Sequence, residues 1–218
     1  MIIAIDGPSA SGKSTVAKLV AKKLGLNYLD TGAMYRAVTL AYIQSSSARQ
    51  SGSNQVDFTV LLSLLPNIEI SFINERVLLN QEDVTNEIRS SEVSNNVSAV
   101  AAIKEVRDKL VAEQRRIGSK GNVVLDGRDI GTVVFPTANV KVFLVASPEV
   151  RAKRRMKDLE VLGEEKDLAT LTEEIRKRDE FDSHRVESPL KRAEDAVEIN
   201  TDEMTVDEVV EKICELAK

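Results

Sequence analysis

Short apolar runs alternate with longer helical patterns over most of the chain. Continuous apolar runs are typical of strands that helices cover on both faces, and their alternation with helices favours βαβ units in a parallel sheet. The pattern predicts five strands, at residues 2–6, 27–30, 122–126, 140–145 and 197–199. We therefore predict an α/β fold built on a five-stranded parallel sheet flanked by helices.

The helical segments carry clearer boundaries than the strands. Apolar residues at helical spacing predict a helix over 13–24, and Thr205 with Glu208 forms a capping-box signature at the start of the last helix. The pattern over 91–117 is helical, and we expect it to break near Ala101 and Ala102. Pro148 predicts the first turn of a further helix.

One region interrupts the alternation. Residues 67–81 predict two short strands around Asn74-Glu75, which is the pattern of a hairpin. The preceding Ser-rich stretch 45–55 predicts a loop, and the charged stretch 160–167 predicts a flexible flap. We expect residues 57–90 to form a small insertion on the parallel-sheet core.

Composition narrows the functional classes. The chain has 218 residues and a net charge of -5, which argues against a protein that binds nucleic acid through bulk charge. The single cysteine, Cys214, excludes an internal disulfide and a cysteine metal cluster, and we expect it to be structural. The sequence contains neither an apolar stretch of about 18 residues nor a signal-peptide pattern, so we expect a cytoplasmic protein without membrane association.

The segment Gly7-Pro-Ser-Ala-Ser-Gly-Lys-Ser14 matches the phosphate-binding P-loop, between a predicted strand and a predicted helix. Its backbone N–H groups would cradle phosphates, Lys13 would reach the terminal phosphates, and Ser14 would bind Mg²⁺. We find neither Asn-Lys-x-Asp nor Asp-x-x-Gly, so a kinase is favoured over a GTPase. The predicted ATP-contacting residues are Gly7, Pro8, Ser9, Ala10, Ser11, Gly12, Lys13, Ser14 and Thr15.

Arginines at two strand ends indicate a second phosphate. Arg36 follows the second predicted strand and Arg128 the third, so both can reach the crevice beyond the carboxyl ends of the sheet. Paired arginines grip phosphate, which predicts a phosphorylated acceptor, although pairing with surface carboxylates is the alternative. Asp126 stands where a carboxylate near Mg²⁺ is expected, with a capping role as its alternative.

Two further charged sets remain ambiguous on spacing alone. Arg178, Asp182 and Arg185 share one face of a helix, where they could bind substrate or form a solvated ion-paired face. The basic run Arg151, Lys153, Arg154 and Arg155 could close over ATP phosphates or be solvated. The only histidine, His184, is expected at the surface, because an ionised phosphate acceptor needs no general base.

The blocks IDGPSASGKST, LDTGAMYRA, EDVTNEIRSSEVS, LDGRDIGTVVFP, RAKRRM and RDEFDSHR resemble the bacterial cytidylate kinases along nearly the whole chain. The resemblance implies a monomeric nucleoside monophosphate kinase that moves the ATP γ-phosphoryl group to CMP or dCMP with Mg²⁺. It implies one domain with a P-loop NTPase core at about 1–56, 91–150 and 186–218. It also implies an acceptor-side insertion at about 57–90 and a helical lid at about 151–185.

Site roles carry over motif by motif. The resemblance implies that Arg36 and Arg128 bind the acceptor phosphate. It also implies that Ser98, Arg107 and Asp129 contact cytosine, with Arg185 nearby, and that Arg178 and Asp182 hold the sugar. It further implies that Thr31 and Tyr35 line the acceptor site and that the lid residues Arg154 and Arg155 meet ATP phosphates. The predicted catalytic set is Lys13, Asp126, Arg128, Arg154 and Arg155.

The sequence departs from the family pattern at Phe181 and Ser183, where some relatives carry further arginines. Two alternatives stay open. One is a P-loop kinase for UMP, dTMP or shikimate, with Asp30 as the candidate base for a hydroxyl acceptor. The other is a regulatory protein that binds ATP without acceptor-dependent turnover.

Overall fold

The structure is a computed structural model that describes residues 1–45, 56–73, 75–161 and 163–218. Its contacts divide the chain into two compact units. The sheet unit comprises Met1–Asp30 and Arg115–Lys218, and the hairpin unit comprises Thr31–Gln114. Nearly all of the predicted loop at 45–55, together with Asn74 and Leu162, lies outside the described residues.

Strands and helices follow one another in the alternating order that the sequence predicts. The strands are β1 (Ile2–Asp6), β2 (Asn27–Asp30), β3 (Ile70–Ile73), β4 (Arg76–Leu79), β5 (Glu82–Asp83), β6 (Val123–Gly127), β7 (Val140–Val145) and β8 (Val197–Asn200). The helices are α1 (Lys13–Leu24), α2 (Thr31–Gln44), α3 (Phe58–Leu64), α4 (Ser91–Ala101), α5 (Lys104–Gly118), α6 (Pro148–Val161), α7 (Leu168–His184) and α8 (Val206–Leu216). Three short helical turns occupy Leu65–Asn67, Glu87–Arg89 and Ile130–Val134, the last with π-helical hydrogen bonding.

The sheet unit contains the predicted five-stranded parallel sheet, in the order β2-β6-β1-β7-β8. Apolar side chains of β1 and β7 pack with α1 and α8 in one core that includes Ile5, Val16, Leu144 and Ile213. The register places Asp30 of β2 opposite Asp126 of β6, so two carboxylates lie side by side near the carboxyl ends of neighbouring strands. The α/β prediction is confirmed.

Helices α6 and α7 pack against each other through a separate small core of Ala152, Leu159, Leu171 and Ile175. Asp167 caps the start of α7, because its side chain accepts hydrogen bonds from the backbone of Thr170 at 2.9 Å. This pair is the helical element expected over 151–185.

The hairpin unit packs α2, α3, α4 and the start of α5 around its own apolar core. The predicted hairpin is present, since β3 and β4 pair antiparallel with Ile73 opposite Arg76. The predicted break of the long helix is confirmed between α4 and α5.

A third strand in the hairpin unit was not predicted. β5 pairs with β4 across Asn80 and Gln81, which both adopt left-handed φ values of 49° and 73°. Two consecutive left-handed residues form the usual two-residue hairpin turn, which is normally signalled by Asn-Gly. Here Gln81 stands in place of glycine, so the sequence carries no such signal.

Candidate active site

The phosphate cradle, residues 7–14, follows β1 and opens α1. Gly7 has a φ of 150°, and a Cβ there would lie 2.2 Å from the carbonyl oxygen of Leu144. Gly12 has a φ of 91° and Ala10 a φ of 60°, so the loop curls through left-handed conformations before the helix begins. The first N–H groups of a helix bind anions well, because they have no partners within the helix.

Lys13 is buried with its ammonium group turned into the cradle. Its Nζ donates to the carbonyl of Pro8 at 2.6 Å and to the Ser11 hydroxyl at 3.3 Å. Burial holds the pKa of Lys13 well below its ordinary value, and the positive charge of Arg128 lowers it further. A bound polyphosphate would offset both effects, which is what the P-loop assignment requires.

Ser14 and Asp126 are in direct contact in the sheet unit. The Ser14 hydroxyl donates to Asp126 Oδ2 and the Tyr28 hydroxyl donates to Asp126 Oδ1, each at 2.8 Å. The pKa of the Asp126 carboxyl is raised from 3.8 to about 6, first by burial and then by the charge of Asp30. Oxygen ligands beside a surplus of buried negative charge fit a Mg²⁺ ion. A capping role would pair Asp126 with backbone N–H groups, whereas these two partners are side-chain hydroxyls.

Positive charge is concentrated at Arg128 and Arg178. Arg128 Nε donates to Asp182 Oδ2 at 3.2 Å, which joins the segment after β6 to α7. The pKa of Arg178 is lowered to about 10 by burial and then by repulsion from Arg128, and Arg155 adds a smaller repulsion. The Nε of Arg178 is buried and has no hydrogen-bond partner among the described residues. An anion placed among these cations would be strongly stabilised.

Burial excludes a solvated face for the constellation at 178, 182 and 185. Asp182 is 3% exposed and Arg185 is 8% exposed. Helix α7 ends at His184, so Arg185 lies at its C-cap with extended backbone rather than on the helix, and its Nε donates to the Ser188 carbonyl at 2.7 Å. His184 is exposed, as predicted.

Arg154 and Arg155 differ in their surroundings. The guanidinium of Arg154 donates to the hydroxyl and the carbonyl of Thr201, at 3.1 and 2.7 Å. A Cβ added at Gly12 would lie 3.9 Å from Arg154 Nη1, so this arginine lies beside the cradle. Arg155 is half-buried and close enough to Arg178 to lower its pKa.

In the hairpin unit, Arg36 is held by two groups. Its Nη1 donates to the Ile88 carbonyl at 3.0 Å and to the Ser94 hydroxyl at 2.9 Å. Arg107 is 3% exposed, donates to the Ala101 carbonyl at 3.1 Å, and lies over the ring of Tyr35 at 5.3 Å from its centroid. The predicted acceptor residues on α2 and α5 are thus fixed in place.

The remaining predicted residues fall in both units. Thr31 is buried at the start of α2 and Ser98 is half-buried on α4, both in the hairpin unit. Asp129 is buried before the turn at Ile130–Val134 in the sheet unit. Because Arg36 and Arg128 belong to different units, their convergence on one phosphate stays a prediction.

Sequence reasoning missed Asp6, Tyr28 and Ser94. Each lies inside a predicted apolar or helical segment, and its partner is distant in the sequence. The strand register that brings β2 beside β6 gives Tyr28 its role, and the local pattern has no signal for it.

Comparison with known proteins decides the family. The family model described as cytidylate kinase matches residues 3–218. The chain belongs to the cytidylate kinase family. A cytidylate kinase of Streptococcus pneumoniae strain 70585 is 53% identical over 97% of this chain and 94% of its own length. The cytidylate kinase of S. pneumoniae strain TIGR4 is 52% identical over the same shares.

Solved structures agree on the fold. A shikimate kinase from Acinetobacter baumannii has a TM-score of 0.50 and 17% identity over 99% of this chain and 92% of its own. An uncharacterized protein from Eubacterium ventriosum has a TM-score of 0.52 and 13% identity over 99% of this chain and 96% of its own. At such identity the likeness shows the fold alone. None of the described helices is long and apolar enough to cross a membrane.

Proposed function

We propose that this chain transfers the γ-phosphoryl group of ATP to CMP or dCMP, giving ADP and CDP or dCDP. The observation that carries the proposal is a cluster of cations in the sheet unit, of which Lys13 is buried and Arg128 and Arg178 are half-buried. Burial lowers the pKa of Lys13 and of Arg178, and repulsion from Arg128 lowers both further. A transferring phosphoryl group is the anion that would stabilise such a set, and family membership supports the same reaction.

The chemistry needs alignment and charge neutralisation. An oxygen of the acceptor phosphate forms a bond to the γ-phosphorus, and the bond to the β–γ bridging oxygen breaks with the electron pair leaving on ADP. The acceptor phosphate is ionised near neutral pH, so no base has to remove a proton. Lys13 and Arg128 would stabilise charge on the transferring oxygens, and Arg155 and Arg178 would add to that field.

Mg²⁺ fits the contact between Ser14 and Asp126. The Ser14 hydroxyl would bind the ion directly, and the buried Asp126 carboxylate would hold it or its water ligands. When bound, Mg²⁺ would neutralise charge on the β- and γ-phosphates. Tyr28 fixes the Asp126 carboxylate by donating to its other oxygen.

Acceptor recognition is assigned to arginines and their neighbours. Arg36 and Arg128 would bind the CMP phosphate. The hydrogen bond of Arg107 to Ala101 and its stacking on Tyr35 favour a pre-organised base contact. In this proposal Ser98, Arg107 and Asp129 contact cytosine with Arg185 nearby, Arg178 and Asp182 hold the sugar, and Thr31 and Tyr35 line the site.

The proposal includes a biological setting. A CMP and dCMP kinase belongs in pyrimidine nucleotide metabolism in the cytoplasm. We expect a monomer with a mass near 24.0 kDa, and light scattering after size-exclusion chromatography tests this.

The deciding experiment measures ADP formation from ATP and Mg²⁺ with CMP, dCMP, UMP, AMP, dTMP and shikimate in turn. We expect strong turnover with CMP and dCMP. Turnover with UMP, dTMP or shikimate instead would keep a P-loop kinase and contradict the base contacts. ATP binding without turnover for any acceptor would favour a regulatory protein.

In the same assay, the variant Lys13→Ala tests the P-loop assignment. Removing the cradle ammonium should lower kcat by about 100-fold or more, because a charge aimed at the transferring group is lost. The thermal midpoint without ligand should stay unchanged or rise, since Lys13 is buried at an electrostatic cost. Turnover by the variant close to the wild-type rate would contradict the P-loop assignment.

A further inference from the structure

Arg151 is a buried cation that the proposed chemistry does not use. It lies in the first turns of α6, and its side chain is 4% exposed. Buried charges are tolerated in proteins when they are paired and hydrogen-bonded. All three nitrogens of its guanidinium donate to groups within the sheet unit.

The partners of Arg151 lie on three separate segments. Nε donates to the Ala146 carbonyl at 2.9 Å, just after β7. Nη1 donates to the Ser9 carbonyl at 3.2 Å, inside the phosphate cradle. Nη1 and Nη2 donate to the two carboxylate oxygens of Asp179, at 2.9 and 2.5 Å. A single side chain therefore connects the end of β7, the cradle and helix α7.

Asp179 lies on α7 between two residues that are assigned to the substrate. Asp179 directly follows Arg178, the cation whose Nε is buried, and lies one helical turn before Asp182. Asp182 in turn accepts from Arg128. The pair Arg151–Asp179 therefore contacts α7 next to these residues, and a planar two-point contact fixes distance and angle together.

A second arginine of α6 strengthens the same connection. Arg154 donates to Thr201, and the Thr201 hydroxyl lies 3.5 Å from the Ser11 carbonyl. Helix α6 is therefore attached near both Ser9 and Ser11, on opposite sides of Ala10 with its left-handed φ. Two hydrogen-bonded links thus join α6 to the cradle, one direct and one through Thr201.

We propose that Arg151 and Asp179 are a positioning pair that holds helix α7 in register with the phosphate cradle. The pair contacts neither substrate in this proposal and acts through the Ser9 backbone and through Arg178 and Asp182. Its kinetic test rests on the proposed function.

Arg151→Lys tests the pair with the charge retained. Lysine cannot make the two-point contact, so we expect kcat/KM for ATP to fall between about 10- and 100-fold, the loss typical of a misplaced reacting group. The KM for CMP should rise as well, because Arg178 and Asp182 are assigned to hold its sugar. Asp179→Asn should produce a loss of similar size, and the double variant should be no worse than the poorer single variant, because both changes break one contact.

The chain provides a matched control in Arg176 and Glu149. They also join α7 to α6, at 2.5 Å, but their side chains are 55% and 52% exposed. Arg176→Lys should leave kcat and both KM values unchanged. Equal kinetic losses for Arg176→Lys and Arg151→Lys, or additive losses in the Arg151–Asp179 double variant, would overturn the proposal.

Hydrogen exchange supplies a readout independent of turnover. In Arg151→Lys without nucleotide, amides of residues 9–14 should exchange faster than in the wild type and in Arg176→Lys. If the wild type shows no turnover with CMP, the proposed function fails and the exchange comparison still decides the pair. Unchanged exchange at residues 9–14 would overturn the positioning role.

Discussion

At the scale of single residues, Asp6 shows how a buried charge shapes the site. Asp6 is 4% exposed, and its carboxylate accepts from the backbone N–H groups of Ile130 and Gly131, each at 2.8 Å. These bonds hold the turn that follows Arg128 and Asp129. Even so, the pKa of Asp6 is raised from 3.8 to about 7, because burial outweighs the two hydrogen bonds and the nearby charge of Lys13.

This shift predicts a pH dependence of stability that Asp6→Asn removes. A carboxyl whose folded pKa lies above its unfolded value binds its proton more tightly in the folded state, so its contribution falls as pH rises through both values. Between about pH 5 and 8, the wild-type free energy of unfolding should fall relative to Asp6→Asn by roughly 3 kcal/mol. Urea denaturation of both proteins across this range measures the difference.

The Asn variant makes the sign unambiguous, because asparagine resembles a protonated aspartic acid. The two proteins should differ least at the acidic end of the range. A wild-type protein that instead gains stability over the variant as pH rises would mean that the two hydrogen bonds outweigh burial.

At the scale of elements, periodicity predicted most of the structure. The five parallel strands, α1, the break between α4 and α5, and the capping box all follow from local pattern. Such features depend on neighbours within a few residues, and these are visible in the sequence. The cradle was predictable for the same reason, since its residues are consecutive.

Features that depend on distant partners were beyond such reasoning. The basic run of α6 was compatible with both an ATP-phosphate site and a solvated face. In the structure its residues have different surroundings, because Arg151 is buried against Asp179 and Lys153 is exposed. The contact of Tyr28 with Asp126 requires the strand order, which no local pattern encodes. The extra strand β5 required a left-handed Gln81 that composition disfavours.

Helix α8 offers a test of local stabilisation away from the chemistry. The Thr205 hydroxyl accepts from the Glu208 N–H at 3.3 Å, and the Glu208 carboxylate accepts from the Thr205 N–H at 2.8 Å. Thr205→Ala should cost about 1 kcal/mol and lower the thermal midpoint by about 2–4 °C. Calorimetry measures this, with Thr205→Ser as the variant that keeps the hydroxyl. A loss of kcat in Thr205→Ala would contradict a purely local role.

At the scale of the whole molecule, local charge and net charge have opposite signs. The chain carries a net charge of -5, yet the pKa of Lys13 is lowered first by burial and then by the positive charges of Arg128 and Arg178. Clustered positive charge destabilises the folded protein when no anion is bound. Nucleotide binding would offset this unfavourable electrostatic free energy. The predicted acceptor residues are divided between the units, with Arg36, Ser98 and Arg107 in the hairpin unit.

That division predicts two different footprints in hydrogen exchange. ADP with Mg²⁺ should slow exchange in the cradle of the sheet unit, because the nucleotide contacts that backbone. CMP should slow exchange at the start of α2 and along α4 in the hairpin unit, where its phosphate and base contacts are assigned. Lys13→Ala should lose the ADP footprint and retain that of CMP. CMP protection confined to the sheet unit would remove Arg36, Ser98 and Arg107 from the acceptor site and leave the base contacts to Asp129 and Arg185.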